Sequence, residues 1–322
     1  MARLSGVSYQ TVSRVLNNSS NIKPSTKQRV LDVIDELGYR PNQAARTLVT
    51  SRTQTIGVLS GLTAHYGPTT AVQAIEVAAR EVGYRLSVTN TEGDYESIKA
   101  GLNYLIGQAV EAVIFVAPQV GVFDAIEDIA LNVPYVTPYA VGRSNGHSVS
   151  VDQHAGGRMA THHLIELGHT DIVHVSGPTD WIEANARMEG FAHELTAAGL
   201  RLRPPVIGDW TAQFGFHAGR QLLDGDAFTA AFCANDQMAL GLIHAFHDAG
   251  LSIPRDVSIV GFDDIPESAH FLPPLTTVRQ DFAEVGRRSV GLLLQALRGT
   301  PEPGPAQITP EFVLRESTAR PA

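Results

Sequence analysis

Apolar residues in the first forty positions recur at helical spacing in three short stretches. Residues 1–5 make barely one turn. A second helix begins after Ser8, a good N-cap residue, with Val7 and Val12 placed to close a hydrophobic staple across the cap. Val12, Val15 and Leu16 form its apolar stripe, and Gly6 lies in the turn before it. A third helix starts near Ser25, carries Val30, Val33, Ile34 and Leu37 on one face, and stops at Gly38 with Pro41 beyond. The outward face of the second helix presents Tyr9, Gln10, Ser13 and Arg14. Such side chains suit a DNA major groove, where Gln pairs bidentately with adenine, Arg with guanine, and Tyr adds an aromatic edge and a hydroxyl. Spacing alone fits an exposed polar face on a small helical bundle equally well.

Asn42 can cap a further helix over residues 43–48. Isolated helices below about 12 residues are marginal in water, so this one is expected to order only against a partner hinge and DNA. Residues 51–55 read as a linker. Beyond it the pattern changes. Short apolar strands at 56–59, 112–116, 172–175, 230–233 and 257–260 alternate with amphipathic helices at 71–82, 95–106, 155–167, 185–198 and 237–247. This alternation implies an α/β body of doubly wound parallel sheets, long enough for two lobes with a cleft at the C-terminal strand ends. The expected division is a head over 1–40, a hinge and linker over 41–55, and a body over 56–322. Within the body, the first lobe takes about 56–152 plus 282–310 and the second about 153–281 plus 311–322.

The chain has 322 residues and a net charge of −9, unevenly spread. Residues 1–52 hold eight basic side chains against three acidic ones, a balance of +5 that leaves −14 on the rest. A basic head on an acidic body suits a head that meets a polyanion and a body that does not. The single cysteine, Cys233, rules out an intrachain disulfide and fits a reducing cytoplasm. No apolar run reaches the roughly 18 residues of a membrane span, and the N-terminus lacks a signal-peptide core, so a cytoplasmic protein is expected.

The run from Gly6 to Asn17 (GVSYQTVSRVLN), followed by VLDVIDELGYRPN at 30–42, resembles the DNA-binding head of the LacI family of transcription regulators. The resemblance combines a motif, a spacing and the Tyr39-Arg40-Pro41-Asn42 signature. It implies that Tyr9, Gln10 and Arg14 read bases, that Thr11, Ser13 and Asn17 contact phosphate or sugar, and that Ser8 also belongs to the DNA-binding set. It also implies that the hinge enters the minor groove, with contacts from Asn42, Ala45 and Leu48, and that Leu48 wedges between base steps and kinks the duplex.

The body is similar to the periplasmic-binding-protein-like core of the same family, through Ile56-Gly57-Val58, Leu167-Gly168-His169, RMEGF at 187–191, ANDQMALG at 234–241, VGFDD at 260–264 and PPLTTVRQD at 273–281. The resemblance implies a small sugar or glycoside effector held by Arg187, Asn235 and Asp263 from the second lobe, with Trp210 as an aromatic plate for the sugar's C–H face. His65, Tyr66 and Gly67 are the expected contribution of the first lobe. Asp152-Gln153 stands where the family usually has Asp-Asn.

Enzyme readings find little support. The histidines at 162, 163, 169 and 174 lack metal-ligand spacing with acids or cysteines, and no nucleophile elbow, phosphate loop or dinucleotide fingerprint occurs. Asp263 and Asp264 are expected to diverge, as neighbours on a strand end do. The expectation is thus a non-enzymatic regulator of repressor type, without cofactor or metal, partnered by a near-palindromic operator, a sugar effector and a second copy of itself. Two alternatives stay open: a nucleobase or phosphosugar effector, and a sugar-binding protein without a DNA role. The C-terminal residues 311–322 show no heptads, which favours a dimer over a tetramer. Met1-Ala2 falls where the family has a Val-Ala inside its first helix, so the natural start is expected upstream.

Overall fold

The computed structural model describes residues 1–16, 22–39, 52–61, 65–117, 119–122, 126, 132–138, 148–300 and 306–321. Asn17 and the segment 40–51, with Asn42, Ala45, Leu48 and the expected hinge helix, lie outside the described residues. The chain forms two compact units, Met1–Thr53 and Gln54–Ala322.

The first unit is built on α1 (Tyr9–Leu16) and α2 (Pro24–Glu36). Ser8 caps α1, its hydroxyl accepting from the Thr11 N–H at 3.2 Å. Val12, Val15 and Val30 are buried together, with Val7, Leu16 and Ile34 packed against them. Pro24 opens α2 one residue before the expected start, because its ring presets a helical φ and it has no N–H to leave unpaired. Gly38 ends that helix at φ +56°, and Leu37, at the C-cap, is 49% exposed rather than buried with the stripe before it. Residues 1–7 form hydrogen-bonded turns rather than a helix, with the Ser5 N–H reaching the Met1 carbonyl at 2.9 Å and the Val7 N–H the Ala2 carbonyl at 3.1 Å.

In the second unit, β1 (Thr55–Gly61) lies between β2 (Arg85–Thr91) and β3 (Ala112–Val116), with β4 (Tyr135–Val136) beyond, all parallel. Helices α3 (Tyr66–Glu81) and α4 (Tyr95–Gly107) follow β1 and β2. Successive side chains of a strand face opposite sides of its sheet, and the cores follow that period. Ile56, Val58, Ile114 and Val116 join α3 residues in one cluster, while Leu59, Val113 and Phe115 join α4 residues in the other. A single bridge from Thr137 to Ser148 leads on to β5 (Val149–Val151), which pairs with β11 (Ala306–Ile308).

The second sheet repeats the plan. β6 (Ile172–Ser176) lies between β7 (Val206–Ile207) and β8 (Ala230–Cys233), with β9 (Ser258–Val260) beyond, again all parallel. α5 (Gln153–Glu166) and α6 (Ile182–Ala197) pack with one face, and α7 (Ala212–Leu223) and α8 (Asp236–Asp248) with the other. The paired helices touch backbone to backbone: a Cβ on Gly157 would strike the Arg187 carbonyl, and one on Gly190 the His154 carbonyl. After β10 (Thr277–Arg279), α9 (Phe282–Arg298) returns to the first sheet, and β12 (Glu311–Val313) pairs antiparallel with β10. The chain therefore passes between the sheets three times, at 152–153, 280–281 and 309–310. Both sheets reverse strand order between their first and third members, β1/β3 and β6/β8, and ligands sit beyond the C-terminal edge at such switch points. Among the described residues, no helix is long and apolar enough to cross a membrane.

Candidate ligand cleft and nucleic-acid interface

Described residues that follow β1, β6, β7, β8, β9 and β10 line one cleft, partly open to solvent, with about 360 Å3 of empty space that includes its open mouth. His65, Tyr66 and Gly67 line it from the start of α3, and Arg187, Trp210, Asn235 and Asp263 from the second sheet. All seven residues expected at a ligand site thus meet at one place. Tyr66 already belongs to α3, which begins five residues before the apolar stripe at 71 suggests.

Arg187 anchors the polar side. Its Nε donates to the Gln153 side-chain oxygen at 2.9 Å, a terminal nitrogen donates to the Ala234 carbonyl, and the other lies 3.6 Å from the Asp263 carboxylate. Its guanidinium also sits 3.8 Å from the centre of the Phe262 ring, a cation–π distance. The Gln153 amide donates to Gln280 at 2.7 Å, and the Gln280 amide donates to Asp263 at 2.6 Å. The four side chains close a ring in which the two glutamines lie beside the crossings between the sheets. Gln153, the departure from the family's Asp-Asn, is a member of that ring. Burial pushes the Asp263 carboxyl up to about 6, against the opposing pull of Arg187 and the Gln280 hydrogen bond.

Asp263 and Asp264 are not on a strand end as expected. β9 stops at Val260, and both residues take left-handed backbone, φ +101° and +52°. Strain of this kind gathers at functional sites. The side chains diverge all the same. Asp264 takes hydrogen bonds from Arg279 and Arg315, each at 2.6 Å, which hold its carboxyl below its ordinary range despite burial.

Trp210 is 5% exposed and also left-handed, at φ +72°. Its ring packs so close to Gly177 that a Cβ there would overlap it, and Trp181 stands against it at 5.1 Å. Trp210 is therefore a lining residue backed by core, and Trp181 supplies a second aromatic wall, with His65 edge-on at 5.4 Å. Asn235 caps α8: its oxygen accepts from the Met238 N–H at 2.9 Å, and its amide donates to the Trp210 carbonyl at 3.0 Å and to Gln237 at 2.8 Å. Both donors are thus engaged, one of them holding the Trp210 loop. Burial lowers the His65 pKa, which keeps the ring neutral near neutral pH, and raises that of Tyr66.

Trp181, Glu183, Gln280 and Phe282 also line the cleft and do not stand out in the sequence. Trp181 had a legible signal: it follows the Gly177-Pro178 break after β6, where a strand end hands over to a helix. Gln280 and Phe282 sit at a crossing between sheets, a place that local periodicity does not mark.

On the first unit, α1 turns Val12 and Val15 inward and leaves Tyr9 81% exposed, with Gln10 and Arg14 exposed beside it. Thr11 and Ser13 are half-buried, and the Ser8 hydroxyl is engaged with Thr11 at 2.9 Å. The geometry defines a class: a two-sheet α/β ligand binder that carries a helix-turn-helix head.

Residues 1–42 match the bacterial regulatory proteins of the lacI family, and residues 161–318 match the periplasmic binding protein-like domain. The chain is 35% identical over 326 residues to the lactose operon repressor of Escherichia coli (strain K12), covering 100% of this chain and 90% of that protein. It is 35% identical over 334 residues to the HTH-type transcriptional regulator CelR of Thermobifida fusca, covering 98% of this chain and 96% of that one. Among solved structures, the lac repressor dimer bound to operator and the anti-inducer ONPF superposes with a TM-score of 0.89 at 34% identity, over 99% of this chain and 97% of that chain. The chain belongs to the LacI family of bacterial transcription regulators.

Proposed function

We propose that this protein is a sequence-specific DNA-binding repressor, acting in the cytoplasm as a dimer, whose hold on its operator is set by a small sugar or glycoside in the cleft. Tyr9, Gln10 and Arg14 are the base-reading residues of this proposal, and Leu48 is its minor-groove wedge. The observation that carries the ligand half is the cleft's make-up: two tryptophans beside a buried arginine–carboxylate pair. A pyranose offers an apolar C–H face and a rim of hydroxyls, and this lining answers both. Relatives support the reading, since a CelR–cellobiose complex superposes with a TM-score of 0.74 at 32% identity. The exposed polar face of α1 argues against a sugar binder without a DNA role.

A thermal-shift screen of neutral sugars and glycosides, followed by operator-binding assays with the hits, tests the proposal. The expected result is a sugar that raises the melting temperature and changes operator affinity. Stabilisation by nucleobases alone, or no sequence preference in DNA binding, would overturn it.

A further inference from the structure

Glu183 occupies the first turn of α6 and lines the cleft at 8% exposure. Among the described residues its carboxylate takes no hydrogen bond and no ion pair from another residue. Every other buried acid near the cleft is engaged: Asp263 by Gln280 and Arg187, and Asp236 by Thr277 at 2.6 Å and the Ile265 N–H at 2.9 Å. A buried acid with no hydrogen-bond donor beyond its own backbone N–H is costly, and burial pushes this one up to about 7 against the pull of Arg187 and that N–H. Such a group at a ligand cleft is an acceptor waiting for a donor.

The charges around it limit what that donor is. Among the described residues lining the cleft, Arg187 is the only Lys or Arg, and it is committed to Asp263, Gln153 and Ala234. His65 is held neutral by burial. The N-termini of α3 and α6 add partial positive charge, at most about half a unit each, and at α6 Glu183 itself answers it. With Glu183 and Asp263 ionised, the described lining of the cleft carries two carboxylates against one guanidinium. A phosphate or carboxylate on the ligand would meet a cation already neutralised and a second like charge.

We infer that Glu183 is a ligand-contacting, specificity-determining residue that accepts a hydrogen bond from a hydroxyl of an uncharged sugar and turns away anionic sugars. The inference rests on the sugar-responsive reading above and narrows it, setting aside a phosphosugar effector. Hydroxyl donation to a carboxylate is about twice as strong as a neutral hydrogen bond, because the acceptor is ionised.

The test is calorimetric titration of the full chain with neutral mono- and disaccharides, cellobiose and lactose included, and with D-glucose 6-phosphate. Wild type and Glu183→Gln are compared; the amide keeps the shape and removes a buried charge, and cooperative thermal melts of both proteins serve as the folding control. At pH 8 the best neutral sugar is expected to bind Glu183→Gln about 10- to 100-fold more weakly than wild type, and D-glucose 6-phosphate is expected not to bind wild type. Lowering the pH from 8 to 6 should weaken sugar binding to wild type more than to the variant. Arg187, Asp263, His65 and Tyr66 face the same space and are shared by both proteins. Equal affinity of the two proteins for the best sugar overturns the inference and leaves the regulator reading standing. So does tighter binding of D-glucose 6-phosphate than of any neutral sugar. If no neutral sugar binds wild type, both readings fall.

Discussion

Arg187 ties together the start of α5 and the loops after β8 and β9, through Gln153, Ala234 and Asp263. Removing one partner of a buried ion pair costs about 3–5 kcal/mol, because the other charge stays buried. Arg187→Ala should therefore lower unfolding stability by roughly that amount in urea titration and abolish sugar binding. Arg187→Lys should not restore binding, since an ammonium lacks the planar fork that serves three acceptors. A lysine variant with wild-type sugar affinity would show that the fork is dispensable. His174 gives a separate prediction. It stacks against both Phe191 and Phe232, at 4.9 and 4.7 Å, and donates from Nδ1 to the Phe232 carbonyl at 2.9 Å. Burial lowers its pKa from 6.5 to about 4. The unfolded chain then binds a proton that the folded one refuses, so stability is full above pH 6.5 and declines as pH falls toward 4, by about 3 kcal/mol from this group. Thermal melts from pH 7 to 4 should show that decline, and His174→Phe should flatten it. At this scale the sequence showed Arg187 and Asp263 through their family motifs. It hid Glu183, because a glutamate in a first helical turn is an ordinary complement to the helix dipole. Only its depth in the cleft distinguishes it.

The helix α1 is eight residues long and owes its register to Ser8 and to two buried valines. Ser8→Ala should destabilise the head by about 1 kcal/mol, read as a lower melting temperature of the first unit and weaker operator binding. Exchanging Tyr9-Gln10 for Val-Ala should move the preferred bases, since a good bidentate contact discriminates by about 1–3 kcal/mol. A selection experiment that returns the original site would remove both residues from the reading role. Leu48→Ala is expected to weaken specific operator binding far more than binding to random DNA, as loss of a wedge predicts. Elements that bury a clean stripe were legible in the sequence: α1, α2, β1, β3, β6, β8 and α8. Others were not, for physical reasons. β2 is an edge strand with Val88 and Arg85 exposed, so it lacks an apolar run. β4 and β7 are two residues long. In α7 the buried face is Gly215, Ala218 and Gly219, small residues that carry little hydropathic signal but let α8 approach.

At the scale of the molecule, the crossings between the two sheets run beside the ligand cleft. Gln153 and Gln280 flank two of the crossings and hydrogen-bond each other within the ring that includes Arg187 and Asp263. A sugar that displaces any member of that ring changes what holds the two sheets together. The face proposed to read bases lies on the other unit, and a segment expected to order only against DNA and a partner joins the two. A sugar that alters the spacing of two such segments in a dimer alters operator binding, and the coupling must be reciprocal. The most direct measurement is therefore a linkage cycle: operator affinity with and without saturating sugar, and sugar affinity with and without operator. The account predicts that sugar weakens specific operator binding at least about tenfold, a coupling of roughly 1.4 kcal/mol, and that operator weakens sugar binding by the same factor. Operator affinity unchanged under saturating sugar would contradict it.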